Sequence, residues 1–258
     1  MSALDPTGAD GLAADAVTCA ALGCHALVAA TALTIQDTAG LEDIQSLSPE
    51  TLDDQARCLL EDMPVQAIKV DGIYRAEMAS AVAQVAADYN QVPLVLHMGV
   101  QTIPSDDAVE QEDAEDLLAA TFELLIPQAD IVVVDYARLA RWVADGHLRC
   151  DELPSPMHAF ISAGADWVLA LNAPLRPGHT AHTLIGTDGT TTQRPALASP
   201  DRSGPAGGLV TAALAAFLAG GATMAQATDR ALAYAEAALR DGFLPGMGRR
   251  IPKRDIKT

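Results

Sequence analysis

Five short apolar runs recur along this chain, and amphipathic stretches of helical length separate them. The runs are HALVAAT at 25–31, QAIKV at 66–70, VPLVLH at 92–97, DIVVV at 130–134 and DWVLAL at 166–171. Near-continuous apolar runs of this length suit strands buried on both faces of a parallel sheet. The intervening stretches, 11–22, 50–62, 75–89, 112–126 and 152–163, have the spacing of amphipathic helices. Alternating strands and helices predict a doubly wound α/β sheet with right-handed crossovers. The segment 181–197 differs: two strand-like runs flank Gly186-Thr187-Asp188-Gly189, a hairpin signal. Two Ala-rich helices, near 206–220 and 224–241, finish the chain. The tail FLPGMGRRIPKRDIKT should lie over the surface as an ordered loop or fray. No linker or repeat interrupts the 258 residues, so a single domain over 1–258 is expected.

Charge narrows the partners. Sixteen Lys and Arg against 34 Asp and Glu leave a net charge of −18, which repels nucleic acid and anionic lipid. No apolar run reaches the roughly 18 residues of a membrane span. The start, MSALDPTGADG, has neither a basic segment nor an apolar core, so no secretory signal is expected. The four cysteines form no CxxC pair and read as reduced thiols of a cytoplasmic protein. The six histidines show no metal-ligand spacing, so no metal site is expected.

Three stretches carry chemistry. In Asp5-Pro6-Thr7-Gly8-Ala9-Asp10-Gly11, Pro and Gly force a sharp turn that lets the backbone approach a ligand. Asp10 could equally be the N-cap of the helix at 11–22. Thr34-Ile35-Gln36-Asp37-Thr38 follows a strand, where open α/β sheets bind ligands. Gln36 offers a donor and an acceptor to a heterocycle edge, or is a plain polar strand exit. Ser203-Gly204-Pro205-Ala206-Gly207-Gly208-Leu209 opens a helix. Free N–H groups there make an anion site, but proline also simply starts helices.

Taken in order, these stretches resemble the phosphomethylpyrimidine kinases of thiamine biosynthesis, which have the ribokinase-like fold. The chain's DPTGADGLAADAVTCAALGCHALVAATALTIQDT is similar to the family's DPTGGAG…AD…GCH…TALTVQDT. LEDMPVQAIK, ELLIPQADIV and FLPGMGRRIP also match family segments, and the likeness runs from Asp5 to about Pro252. The resemblance implies a three-layer α/β sandwich with a mostly parallel central sheet and helices on both faces. It implies ATP-dependent phosphorylation of hydroxymethylpyrimidine or its monophosphate, with ATP and Mg, and a homodimer. Asp5, Gly8, Gly11, Asp15 and Gln36 keep the family's residue types on the side that takes the small aminopyrimidine. Gln36 would pair with the ring.

The phosphate side departs from the pattern. The family's G-[ST]-G-C loop, an anion hole ending in a catalytic Cys, is Gly204, Pro205, Ala206 and Gly207 here, followed by Gly208. Gly207 therefore brings no side chain to the catalytic position, and Pro205 brings no N–H. The family's Asp-Pro beside the phosphates is His97-Met98. Its K-I-G turn is Lys69-Val70-Asp71. Its Thr-Pro-Asn…Glu segment is Val133-Val134-Asp135…Arg138, and its Gly-Thr-His stretch is Asn172-Ala173-Pro174. A positioned base is worth about 10²–10⁴ in rate and one oxyanion donor about 10²–10³. The alternative to a kinase is thus a catalytically degenerate relative that binds a small heterocycle or a protein partner. Asp201, Asp71 and His97 are the residues that could stand in near the cleft.

Overall fold

The computed structural model describes residues 1–99 and 108–256. Nine strands and eight α-helices are ordered along the chain among these residues. Strands β1 (Ser2–Leu4), β2 (Ala30–Gln36) and β3 (Leu41–Ser46) form one ladder, with β1 and β2 parallel and β3 antiparallel to β2. The second ladder runs β4 (Ile68–Val70), β5 (Leu94–Met98), β6 (Ile131–Asp135), β7 (Trp167–Arg176), β8 (His179–Gly186) and β9 (Thr191–Pro195). Its first four strands are parallel, and β8 and β9 are antiparallel additions at one edge. Among the described residues, two backbone bonds join the ladders. Met1 donates to the Lys69 carbonyl at 2.8 Å, and the Asp71 N–H donates to Met1 O at 3.0 Å.

The parallel strands are mostly apolar because each face has its own core. Val95, Ile131, Val133, Leu169 and Leu171 point to a core with α7 (Gly207–Ala219) and α8 (Met224–Arg240). Their neighbours Leu94, Leu96, Val132, Val134, Val168 and Ala170 point the other way. That second core is closed by α2 (Pro49–Asp62), α3 (Ala76–Asp88) and α4 (Ala108–Ala120), with α5 (Tyr136–Ala144) and α6 (His158–Ser162). Helix α1 (Gly11–Ala21) packs against α7. This is the expected three-layer sandwich, and the two-residue side-chain period produces it.

Several boundaries move. The strand expected at 25–31 is β2 at 30–36, because it is pairing with β1 and β3 that defines it. Strand β3, LEDIQS, has too little apolar character to be read as a strand, yet it completes the antiparallel edge. The helix expected over 152–163 reduces to α6, and α5 precedes it where none was expected. Asp135 ends β6 and caps α5 by accepting from the Ala137 N–H at 3.0 Å, so strand and helix follow without a loop. The helix expected at 112–126 begins at Ala108. It widens at Thr121–Leu125 and closes in a 3₁₀ turn at Ile126–Gln128, where Pro127 supplies no N–H. The hairpin lies where expected, β8 to β9 around Thr187–Thr190.

Candidate active site

The site lies at the carboxyl ends of β4 and β5, where the chain leaves the sheet and backbone groups are free to meet a ligand. Asp71 follows β4 and His97 lies near the end of β5. The loop 5–11 leads from β1 into α1, and the helix α7 begins at Gly207.

The loop 5–11 is organised from within. Asp5 is 5% exposed, and its Oδ1 accepts from the Thr7 N–H and the Thr7 hydroxyl, both at 2.7 Å. Its Oδ2 accepts from the Asp10 N–H at 3.0 Å. Gly11 has φ +66°, and a Cβ there would overlap the Ala3 carbonyl oxygen, so only glycine closes this turn. The tail holds the loop from outside. Arg254, 6% exposed, donates to the Ala9 carbonyl at 2.6 Å and the Gly8 carbonyl at 3.3 Å. The Arg254 carbonyl in turn accepts from the Tyr234 hydroxyl at 2.6 Å. Farther back along the tail, the N–H groups of Arg249 and Gly248 donate to the Thr38 carbonyl and hydroxyl at 2.7 and 3.0 Å. The tail is thus ordered and ties down both expected ligand loops. Gln36 ends β2, half-buried opposite Leu41.

Asp15 and Lys69 form a buried ion pair, with Lys69 Nζ 2.8 and 2.7 Å from the two carboxylate oxygens. Lys69 also donates to Asp71 at 3.3 Å. Asp71 Oδ2 lies 3.0 Å from His97 Nδ1, an ion-pair distance without the alignment of a straight hydrogen bond. Asp71 Oδ1 accepts from the Gly72 N–H at 2.6 Å. Burial alone would lower the pKa of Lys69, but Asp15, Asp71 and Asp10 outweigh it and raise it. Burial likewise opposes charge on His97, and Asp71 with Asp10 overcomes it, so the His97 pKa rises. Burial works to raise Asp71, while His97 and Lys69 hold it well below the usual carboxylate range. Lys69 and His97 thus face Asp15 and Asp71, and Asp10 lies beside them. Burial first, then the Asp71 charge, push Asp10 up to about 6.

Asp10 stands at the N-cap position of α1, yet its side chain makes no capping bond. Its Oδ1 is buried without a hydrogen-bond partner. It lies instead against the start of α7: a Cβ on Gly208 would overlap the Asp10 carboxylate. In the same way a Cβ on Gly207 would overlap the His97 imidazole at Nε2. The first N–H groups of an α-helix such as α7 have no partner within the helix. Ala206 precedes them at the N-cap position, after Gly204 and Pro205.

The phosphate-side departures divide into two groups. Asp71, His97 and Gly207 join Asp10 and Lys69 in one cluster. Asp135 at the end of β6 and Asn172 midway along β7 meet separately, with Asn172 Nδ2 3.3 Å from Asp135 Oδ2. Arg138 stacks over Trp142 at 5.7 Å in α5. Asp201 is exposed on the loop before Ser203. Sequence reasoning passed over Asp10 as an active group, and over Lys69 and Arg254. The signal for Asp10 was present, since the family's DPTGGAG has Ala where this chain has Asp. Nothing local marks Arg254, whose partners lie about 245 positions away in the chain.

Comparison with known proteins places this geometry. The hydroxymethylpyrimidine/phosphomethylpyrimidine kinase of Rhizobium meliloti is 31% identical over 252 residues, 95% of this chain and 91% of that protein. The phosphomethylpyrimidine kinase (thiD) structure from Clostridium difficile superposes with a TM-score of 0.73 at 19% identity, covering 90% of this chain and 95% of that one. An ADP complex of Bacillus subtilis pyridoxal kinase superposes with a TM-score of 0.82 at 18% identity, over 98% of this chain and 95% of that one. These structures establish the ribokinase-like fold. The sequence profile of phosphomethylpyrimidine kinase matches residues 5–252, and the chain belongs to that family.

Proposed function

We propose that this chain transfers the γ-phosphoryl group of ATP to hydroxymethylpyrimidine or its monophosphate, a thiamine-pathway reaction carried out in the cytoplasm by one domain spanning 1–258. The observation that carries this reading is the contact between Asp10 and Gly208. It brings the small-substrate loop against the start of the phosphate-side helix, so the two halves of a kinase cleft meet. The curated relative's name, hydroxymethylpyrimidine/phosphomethylpyrimidine kinase, states both substrates. The ADP complex of the pyridoxal kinase supports use of an adenine nucleotide. Unpaired N–H groups at a helix start, beside the His97 ring, suit phosphate oxygens. Among the described residues no group of three or more His, Cys, Asp and Glu could hold a metal ion by itself. Magnesium would therefore arrive on the nucleotide phosphates, as it commonly does.

A homodimer is part of the reading. Leu4, Leu33 and Ile35 are 41%, 40% and 45% exposed on the adjacent strands β1 and β2. A second copy covering this apolar strip would remove it from water.

The alternative is a degenerate binder of a heterocycle, because Gly207 brings no side chain to the family's catalytic position. One experiment separates the two. Mg-ATP and hydroxymethylpyrimidine are incubated with the protein, and ADP and the phosphorylated pyrimidine are quantified together. Stoichiometric formation of both supports the kinase. Pyrimidine binding by calorimetry with no product supports the degenerate binder.

A further inference from the structure

The residues that depart from the family pattern at 10, 71, 97 and 207 lie in four separate parts of the sequence. In the structure they gather at the start of α7. Asp71 holds His97 from one side at 3.0 Å, and the far edge of the His97 ring abuts Gly207. Asp10 abuts Gly208, the next residue. The volume of a side chain at the helix start is therefore filled, but from β5 and from the loop before α1. His97 is 9% exposed, and Asp10 Oδ1 is buried with no partner. Buried polar atoms left unpaired are costly, which points to a ligand that completes them.

We propose that His97 and Asp10 together replace the catalytic side chain that Gly207 lacks: His97, oriented by Asp71, binds the transferred phosphoryl group through Nε2, and Asp10 takes the proton of the attacking hydroxyl. The assignment rests on the kinase reading above. In the step, the substrate hydroxyl oxygen forms a bond to the γ-phosphorus. The bond from that phosphorus to the β–γ bridging oxygen breaks, and its electron pair leaves on ADP. The hydroxyl proton passes to Asp10, and from there to water when the products leave. Such transfers depend chiefly on positioning and on stabilisation of the phosphoryl oxygens, which a fixed imidazole N–H donor supplies.

The charges around the pair suit these roles. His97 faces Asp71 and Asp10, with Lys69 behind Asp71. Burial works against charge on the ring, and Asp71 with Asp10 raises its pKa above the ordinary value. Asp10 faces Asp71, Lys69, His97 and Asp15, with Arg254 nearby. A value of about 6 leaves Asp10 mostly ionised at neutral pH and basic enough to accept a proton.

The test uses the parent protein, His97→Gln and Asp10→Asn. Substrates are Mg-ATP and hydroxymethylpyrimidine. The parent is expected to turn over with an acid limb near pH 6. His97→Gln should lower kcat by about 10²–10³, with calorimetric affinity for the pyrimidine within about threefold. Asp10→Asn should lower kcat by about 10²–10⁴ and abolish the acid limb. A measurement on the unaltered protein guards against variants that misfold. The ring nitrogen resonances of His97 should shift when ADP, aluminium fluoride and hydroxymethylpyrimidine are added, because the fluoride stands in for the transferred phosphoryl group. An active parent whose two variants stay within about threefold, or a His97 resonance that does not move, overturns the assignment and leaves the kinase reading intact. An inert parent that still binds pyrimidine overturns the kinase reading, and the assignment with it.

Discussion

His97 and Gly207 share one volume: the imidazole stands where a Cβ on Gly207 would have to be. Neither residue's identity explains itself alone. Glycine at 207 leaves room for the ring, and the ring is held there by Asp71 at 3.0 Å.

Adding a side chain at 207 should therefore destabilise the protein. Gly207→Ala or Gly207→Cys is expected to cost about 1–3 kcal/mol, the usual range for overpacking. The second change His97→Ala should return much of that loss, since it empties the contested space. Urea denaturation of the two single variants and the double variant measures the coupling. Additive losses would mean that the two side chains do not compete. It also follows that Gly207→Cys alone should not raise phosphoryl transfer.

Asp10 makes stability depend on pH. The unfolded chain releases this proton near the ordinary value of about 4, whereas the folded protein holds it up to about 6. Between those values the native state binds more protons than the unfolded state. The Asp10 contribution to stability therefore falls as pH rises from about 4 to about 6, and the penalty is fully present above that. Asp10→Asn lacks this proton, so it should be more stable than the parent at pH 7 by about 1–3 kcal/mol. The advantage should shrink towards pH 4. A difference in melting temperature that is flat with pH would contradict the burial of this acid.

Removing Lys69 should do the opposite at every pH above the carboxylate range. Lys69→Ala leaves Asp15 without its cation and Asp71 with His97 alone. Breaking one side of a buried pair typically costs about 3–5 kcal/mol. The midpoint of chemical denaturation reads this directly. A loss below about 1 kcal/mol would show that water compensates the two carboxylates.

Gly11→Ala tests the turn. A φ of +66° and the Ala3 carbonyl in the path of a Cβ together predict a loss of more than about 1 kcal/mol. Gly8 also has a positive φ, +67°, but nothing stands near its missing Cβ. Gly8→Ala should therefore be the milder of the two, and thermal melts of both variants check the order.

The proposed homodimer predicts a particle of twice the 26.8 kDa chain mass by light scattering at micromolar concentration. Leu33→Glu together with Ile35→Lys should give a soluble monomer, because charge on that strip opposes its burial. A parent that is already monomeric would leave the strip without this role.

The chain by itself determined the sandwich. The unbroken apolar runs IVVV and WVLAL demand cover on both faces, and the helical stretches between them supply it. Glycine at 11 and the hairpin at 186–189 were legible for the same local reason, because turns are decided by a few adjacent residues. Helix α5 and strand β3 were not, since a cap following directly on a strand and a polar edge strand are settled by their neighbours in space. The tertiary structure alone decided the site. Position 207 reads in isolation as a lost side chain, and Asp10 as an ordinary N-cap. Only the crossovers that lay β4, β5, α1 and α7 side by side bring Asp71, His97 and Asp10 against Gly207 and Gly208. Charges separated by dozens of residues act on one another through a few ångströms of low-dielectric interior, and sequence order carries no record of that distance.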